Sequence, residues 1–456
     1  MNWIKKAFLA GMAVGILLPL CFFNWKRDSV SSIDNRMLSE LDFQSGDTSA
    51  MLDSFFKDRI GFRTLCIDTY TQWNDRLFGE MVHPTYEYGR DGYVFFKVKA
   101  EQEDEEFLDA FCAYLRSVQD YCNARNVPFI YCINPSKTTV YQRFLPSGYT
   151  YRNHFLQYLY KKLREYNVNY ISNVEFLEEK SQDEQIFNVK FDAGHWNDLG
   201  CFYGTNRLLE KVSEYFPDVR PHVSTDFIYS VEEEDTLLNS HFSIHEMVPY
   251  FANPAEDGIT DKSGEFSSIR LDQRHSGFGV YQNKNPGSGK LPRVLFFHGS
   301  YYNTRVRFYD TSFQEAYRVH NYQNFIDFDY YFNLFQPECV ILETAEYATA
   351  RRYFNINRLR EKRLNPPFWQ VRDTAHDSYA LQELPYETER REGITNVEIT
   401  ISPEAEEKTP YGFGYLLIGE REFDLQIEKG RGVCSVASEY MTDKDLASAR
   451  IELFVK

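Results

Sequence analysis

Two short segments hold residues whose types and spacing could do covalent chemistry. Ser300 follows RVLFFHG (293–299), an apolar run that reads as a strand ending in a glycine turn. In a parallel α/β sheet the carboxyl ends of the strands form the ligand crevice, and a serine on such a turn presents its hydroxyl there beside backbone N–H groups able to receive an oxyanion. FDAGHWNDLG (191–200) sets Asp192 three residues before His195, at the start of a helix for which Asn197 or Asp198 is the cap. That spacing lets the carboxylate accept from one imidazole nitrogen while the other faces a serine hydroxyl, as a nucleophile–base–acid triad requires. The plainer alternative is that Asp192 caps backbone amides and His195 packs in a loop. The pair lacks a third ligand at suitable spacing, so no metal site is expected, and no cofactor.

The surrounding pattern predicts the elements that must position these residues. After 101 the chain alternates helix with short apolar strand: a helix over 105–125, PFIYCI (128–133), a helix over 153–166, VNYIS (168–172) and a helix over 197–215. CVILET (339–344) resumes the pattern after Ser300. Such alternation implies α/β architecture with a parallel sheet covered on both faces. YEYGRDGYVFF (86–96) reads as a hairpin. Residues 217–290 show no sustained period and read as a long looped insertion. Alternating runs VEITI, YLLI, FDLQI, VCSV and IELFV after 391 suggest a small β module, either a carbohydrate-binding appendage or extra structural sheet. The expected divisions are an anchor over 1–27, a helical lead segment over 28–85, an α/β catalytic domain over 86–375 and the β-rich module over 391–456.

Composition narrows the setting. A formal net charge of -17 over 456 residues, with no basic run, excludes a nucleic-acid partner and disfavours a polyanionic substrate. AFLAGMAVGILLPLCFF (7–23) is uncharged, follows Lys5 and Lys6, and is bracketed by Trp3 and Trp25, which predicts one membrane-spanning anchor with the bulk of the chain outside the cytoplasm. The eight cysteines form no C-x-x-C pair, which argues against thiolate metal binding and for mostly buried single thiols.

Several motifs occur in an order that is itself informative: Asp34-Asn35-Arg36, FFKDRIGFR (55–63), Leu77-Phe78-Gly79, GRDGYVFF (89–96), NPSKTTVY (134–141) followed by Leu145-Pro146, then the Asp192/His195 element. NKNPGSGKLPRVLFFHGSYYN (283–303) and QPECVILETAEY (336–347) complete it. Over about residues 30 to 350 the chain resembles the SGNH-type acyltransferases that include the alginate O-acetyltransferases of exopolysaccharide modification. Like them it places Asp/His before Ser. The resemblance implies an SGNH-hydrolase-like sheet, Ser300 as nucleophile, His195 as base and Asp192 as its orienter, with Asn134, Tyr301 and Asn303 as oxyanion or substrate contacts. It also implies a polysaccharide acceptor and a multi-pass membrane protein as acetyl donor. Hydrolysis by the same triad, and a non-catalytic glycan-binding scaffold, are the rival readings. Two departures stand out: Asp-Ala-Gly-His carries one residue more than the family's usual Asp-x-His, and Gly299 precedes Ser300 where the family often has Asp. The first leaves Asp198 as a substitute for Asp192.

Overall fold

The computed structural model describes residues 2–26, 30–31, 36–41, 48–97, 104–149, 151, 154–401, 411–428 and 430–455. The Asp34-Asn35 part of the first motif lies outside them. Helix α1 (Asn2–Cys21) contains an apolar stretch, Trp3–Cys21, long enough to cross a bilayer and touching nothing else in the molecule over most of its length. A short pairing of β1 (Val30–Ser31) with β2 (Arg36–Met37) leads to α2 (Thr48–Arg59) and α3 (Arg63–Phe78). The joint between these helices is tied to the end of α1: Gly61 N–H donates to Pro19 O at 3.0 Å and Arg59 Nη1 to Asn24 O at 3.1 Å. A side chain at Gly61 would meet Phe22 Cβ at 2.6 Å, so only glycine fits there. Helix α3 stops at Gly79, left-handed with φ 66°, as the Leu-Phe-Gly ending predicts.

The hairpin of β3 (Tyr86–Tyr88) and β4 (Val94–Phe96) precedes α4 (Glu105–Asn123), whose N-cap Asp104 accepts from Phe107 N–H at 3.0 Å. Then follow β5 (Phe129–Asn134), α5 (Lys137–Val140), α6 (His154–Glu165), β6 (Tyr170–Ser172), α7 (Val174–Lys180) and α8 (Asp198–Ser213). The region expected as a looped insertion instead contains β7 (Ile228–Thr236) and β8 (Ser243–Ala252), paired as a hairpin, and β9 (Ile259–Asp261) and β10 (Phe278–Asn283). After these come β11 (Arg293–His298), β12 (Glu315–His320), α9 (Tyr322–Ile326), α10 (Phe328–Phe335) and β13 (Cys339–Ala345).

The central sheet runs β6-β5-β13-β11-β12-β10-β9. Its first five strands are parallel, as predicted, but β10 and β9 join antiparallel, so the sheet is mixed. β5 and β13 are buried at every position, which explains their near-continuous apolar runs. Strand β7 escaped sequence reading because it is exposed almost throughout and so has no apolar alternation to display.

The C-terminal region forms a seven-stranded antiparallel sheet from β14 (His376–Ala380), β15 (Tyr386–Arg391), β16 (Ile394–Thr400), β17 (Tyr411–Ile418), β18 (Arg421–Glu428), β19 (Arg431–Ala437) and β20 (Arg450–Val455), ordered β14-β20-β17-β18-β19-β16-β15. Two of its strands lie before residue 391. It packs on α10 and α4 through buried polar contacts. Asn333 exchanges hydrogen bonds with the Asp424 backbone at 2.7 and 2.9 Å, and Arg125 sits 3.3 Å from the Asp424 carboxylate and 3.2 Å from Glu422.

Candidate active site

The parallel strands end at one edge, and β11 delivers Ser300 there one residue after Gly299. The segment Phe191 to Trp196 crosses the same edge. His195 Nε2 lies 2.9 Å from Ser300 Oγ, and His195 Nδ1 lies 2.9 Å from Asp192 Oδ2. Asp192 is buried, whereas His195 and Ser300 are each half-buried. The extra residue in Asp-Ala-Gly-His does not pull the pair apart. Asp192 Oδ1 accepts from Gly194 N–H and His195 N–H, both at 2.9 Å, closing the added residue into a tight turn while Oδ2 serves the imidazole. Burial alone would raise the Asp192 pKa, but His195 and these two amides hold the carboxyl well below the usual range. Asp198 is no substitute: it caps Phe251 N–H at 3.0 Å and pairs with Arg305 at 3.2 Å and with Arg307.

The Asp192 turn is gripped from both sides by residues that sequence reasoning gave no role. Buried Lys137 donates to Val94 O, Val189 O and Asp192 O at 2.7, 3.1 and 2.9 Å. Glu246, on β8, receives three successive amides, Val189, Lys190 and Phe191, at 2.6, 2.7 and 2.6 Å. One side chain holds carbonyls and the other amides, which fixes the backbone leading into Asp192. Desolvation pulls the Lys137 ammonium down to about 7, with Asp192 and Glu246 opposing it. Lys137 sits within the NPSKTTVY motif, and that placement was its only sequence signal.

Of the other expected contacts, Tyr301 is fully buried and its hydroxyl is committed, its one proton shared between Pro135 O at 2.8 Å and Gly194 O at 2.9 Å. Its ring stands edge-on to His195, with centroids 5.2 Å apart, so the side chain braces the imidazole. Asn134 is likewise internal: it donates to Glu343 Oε1 at 2.9 Å and accepts from Asn173 at 2.8 Å. Its amide supports the sheet end from below rather than facing a substrate. Asn303 is exposed beyond Ser300, its N–H donating to Ser300 O at 3.3 Å, and its side chain is open to solvent.

Beside Ser300, Glu343 of β13 accepts from Gly299 N–H at 2.7 Å. Burial pushes this carboxyl up to about 7, and the donations from Gly299 and Asn134 pull it back. Gly299 is therefore held by the buried Glu343 carboxyl group. Half-buried Tyr347 follows the end of β13, and burial chiefly raises its phenol pKa. The sequence signal for Tyr347 was the ETAEY turn, in which no single residue stood out.

No protein-family model matches the sequence, and no curated protein does. Among solved structures the chain is similar to PatB1 of Bacillus cereus, with TM-score 0.45 and 17% identity over 57% of this chain and 96% of that one. It is similar to a DHHW family protein from Eubacterium siraeum, with TM-score 0.43 and 15% identity over 62% and 96%. It is also similar to the O-acetyltransferase domain of Pseudomonas putida AlgJ, with TM-score 0.42 and 16% identity over 61% and 100%.

Proposed function

We propose that the chain is a serine-dependent O-acyltransferase that carries an acetyl group as an acyl-serine and passes it to hydroxyls of a cell-surface or exported polysaccharide. The observation that carries this reading is the Ser300–His195–Asp192 line, two 2.9 Å contacts at the carboxyl edge of the sheet. His195 Nε2 takes the Ser300 proton as Oγ attacks the donor's carbonyl carbon. Asp192 fixes the imidazole tautomer and stabilises the imidazolium, which returns the proton to the leaving group. The tetrahedral oxyanion falls beside Ser300 N–H, which has no protein acceptor among the described residues. A sugar hydroxyl, deprotonated by the same His195, then displaces the serine.

Transfer to glycan, an acetyl donor that is a multi-pass membrane protein, and α1 as a membrane anchor with the bulk outside the cytoplasm rest on the motif resemblance and on the apolar α1. The acidic surface favours a neutral or mixed glycan over a polyanion. Incubating the full chain in detergent with p-nitrophenyl acetate should add one acetyl group to Ser300 by intact-mass and peptide mapping, and Ser300→Ala should stay unmodified. Adding oligosaccharide should move the acetyl group onto sugar. Release as free acetate in the presence of every acceptor would assign hydrolysis instead, and absence of both adduct and Ser300-dependent turnover would remove the enzyme reading.

A further inference from the structure

Helix α3 is amphipathic in the opposite sense to that of a helix lying on a soluble body. The side facing the protein is polar. Asp68, buried, accepts from Ser240 Oγ at 2.9 Å and His241 N–H at 2.8 Å; Gln72 accepts from Ser243 N–H at 2.8 Å; Asp75 accepts from Tyr88 OH at 2.9 Å. The side facing away is largely apolar, with Phe62, Leu65, Cys66, Tyr70, Trp73 and Leu77 at helical spacing and exposed Thr69 and Arg76 along one flank. Tyr70, Trp73 and Leu77 are 63%, 59% and 64% exposed and lie side by side, so they form a contiguous apolar patch rather than scattered single residues. The stripe is continuous with the end of α1: Phe22, just past the span, packs on Phe62 with ring centroids 4.8 Å apart, beside the Gly61–Pro19 hydrogen bond.

We propose that this face of α3 is a membrane-docking surface, embedded in the headgroup–acyl boundary of the same bilayer that α1 crosses. Lipid suits the face better than water does, because Trp and Tyr favour that boundary and the flanking apolar side chains gain by leaving solvent. Attachment to the span end places α3 at the depth where the bilayer begins. The surface rests on α1 being the membrane anchor.

The exposed thiols Cys21 and Cys66 report the two claims separately. The full chain carrying Cys21→Ser is labelled at Cys66 with bimane and reconstituted in vesicles of phosphatidylethanolamine and phosphatidylglycerol; a Cys66→Ser chain is labelled at Cys21. Expected is quenching of both labels by lipid-borne nitroxide, the Cys66 label by a shallow nitroxide more than a deep one, with iodide quenching several-fold weaker than for free dye. Trp73→Glu with Leu77→Glu should restore iodide access at Cys66 while leaving Cys21 in lipid and the melting temperature unchanged, since both side chains are mostly exposed on the outward face of α3. Cys21 in lipid with Cys66 open to iodide overturns the docking surface and leaves the anchor standing. Both labels in water overturn the anchor and the docking surface together. Cys66 shielded from iodide and nitroxide alike means that protein covers the face, which also overturns a lipid surface.

Discussion

Asp192 accepts from two backbone amides through one oxygen and from the imidazole through the other, so removing its charge and removing its shape are different experiments. Asparagine keeps the oxygen that closes the turn but turns an amide toward His195 Nδ1, enforcing the tautomer that cannot accept the serine proton. Asp192→Asn should therefore fold normally and lose about ten-thousand-fold in kcat on an activated ester, measured by steady-state kinetics alongside thermal melting. Glu343 gives a second residue-level expectation, and its sign follows from its raised pKa. A carboxyl held at about 7 in the fold and near 4.5 when unfolded stabilises the fold fully below 4.5, and that contribution is lost as pH rises through 7. Glu343→Gln stays neutral at every pH, so its melting temperature relative to the parent should climb between about pH 4.5 and 7 and then level off. A flat difference across that range would mean that Glu343 is ionised throughout.

The site is built from elements that sequence reveals unequally. The strand before Ser300 and the Asp–x–x–His turn are legible because each is local: an apolar run ending in glycine, and two residues within one turn. Parallel strands β5 and β13 are legible too, since burial on both faces leaves continuous apolar runs. Lys137 and Glu246 are not, because their partners lie 55 residues away along the chain and are backbone atoms, which leave no side-chain signature. Tyr301 illustrates the opposite error, since its place beside the nucleophile suggested substrate contact while the fold turns its hydroxyl inward to Gly194 O. The close approach of the Asp192 turn to β4 is open to test. A Cβ on Gly194 would fall 2.4 Å from the Phe96 ring, so Gly194→Ala should displace the turn, costing about 1–3 kcal/mol of stability. A misplacement of even an ångström at His195 should cost up to about a hundred-fold in kcat, a loss larger than the stability change predicts.

At the scale of the whole molecule, the C-terminal sheet is joined to the catalytic body by charge rather than by an apolar seam alone. Arg125 sits over Tyr121 with its guanidinium carbon 3.6 Å from the ring centre, and it pairs with Asp424, a carboxyl that burial pushes up to about 7. Arg125→Ala would leave Asp424 buried without its cation and should cost about 3–5 kcal/mol, read as a shift of the denaturant midpoint. The transition should remain a single one if the two parts unfold together. At the opposite end, the polar inner side of α3 bears on how the protein can be handled. Cutting the chain after the span removes α1 but leaves Phe62, Tyr70, Trp73 and Leu77 facing outward, because the body holds only the other side of that helix. A truncated chain should therefore still bind detergent and self-associate on sizing columns, and it should become freely soluble only when the outward aromatic residues are replaced as well.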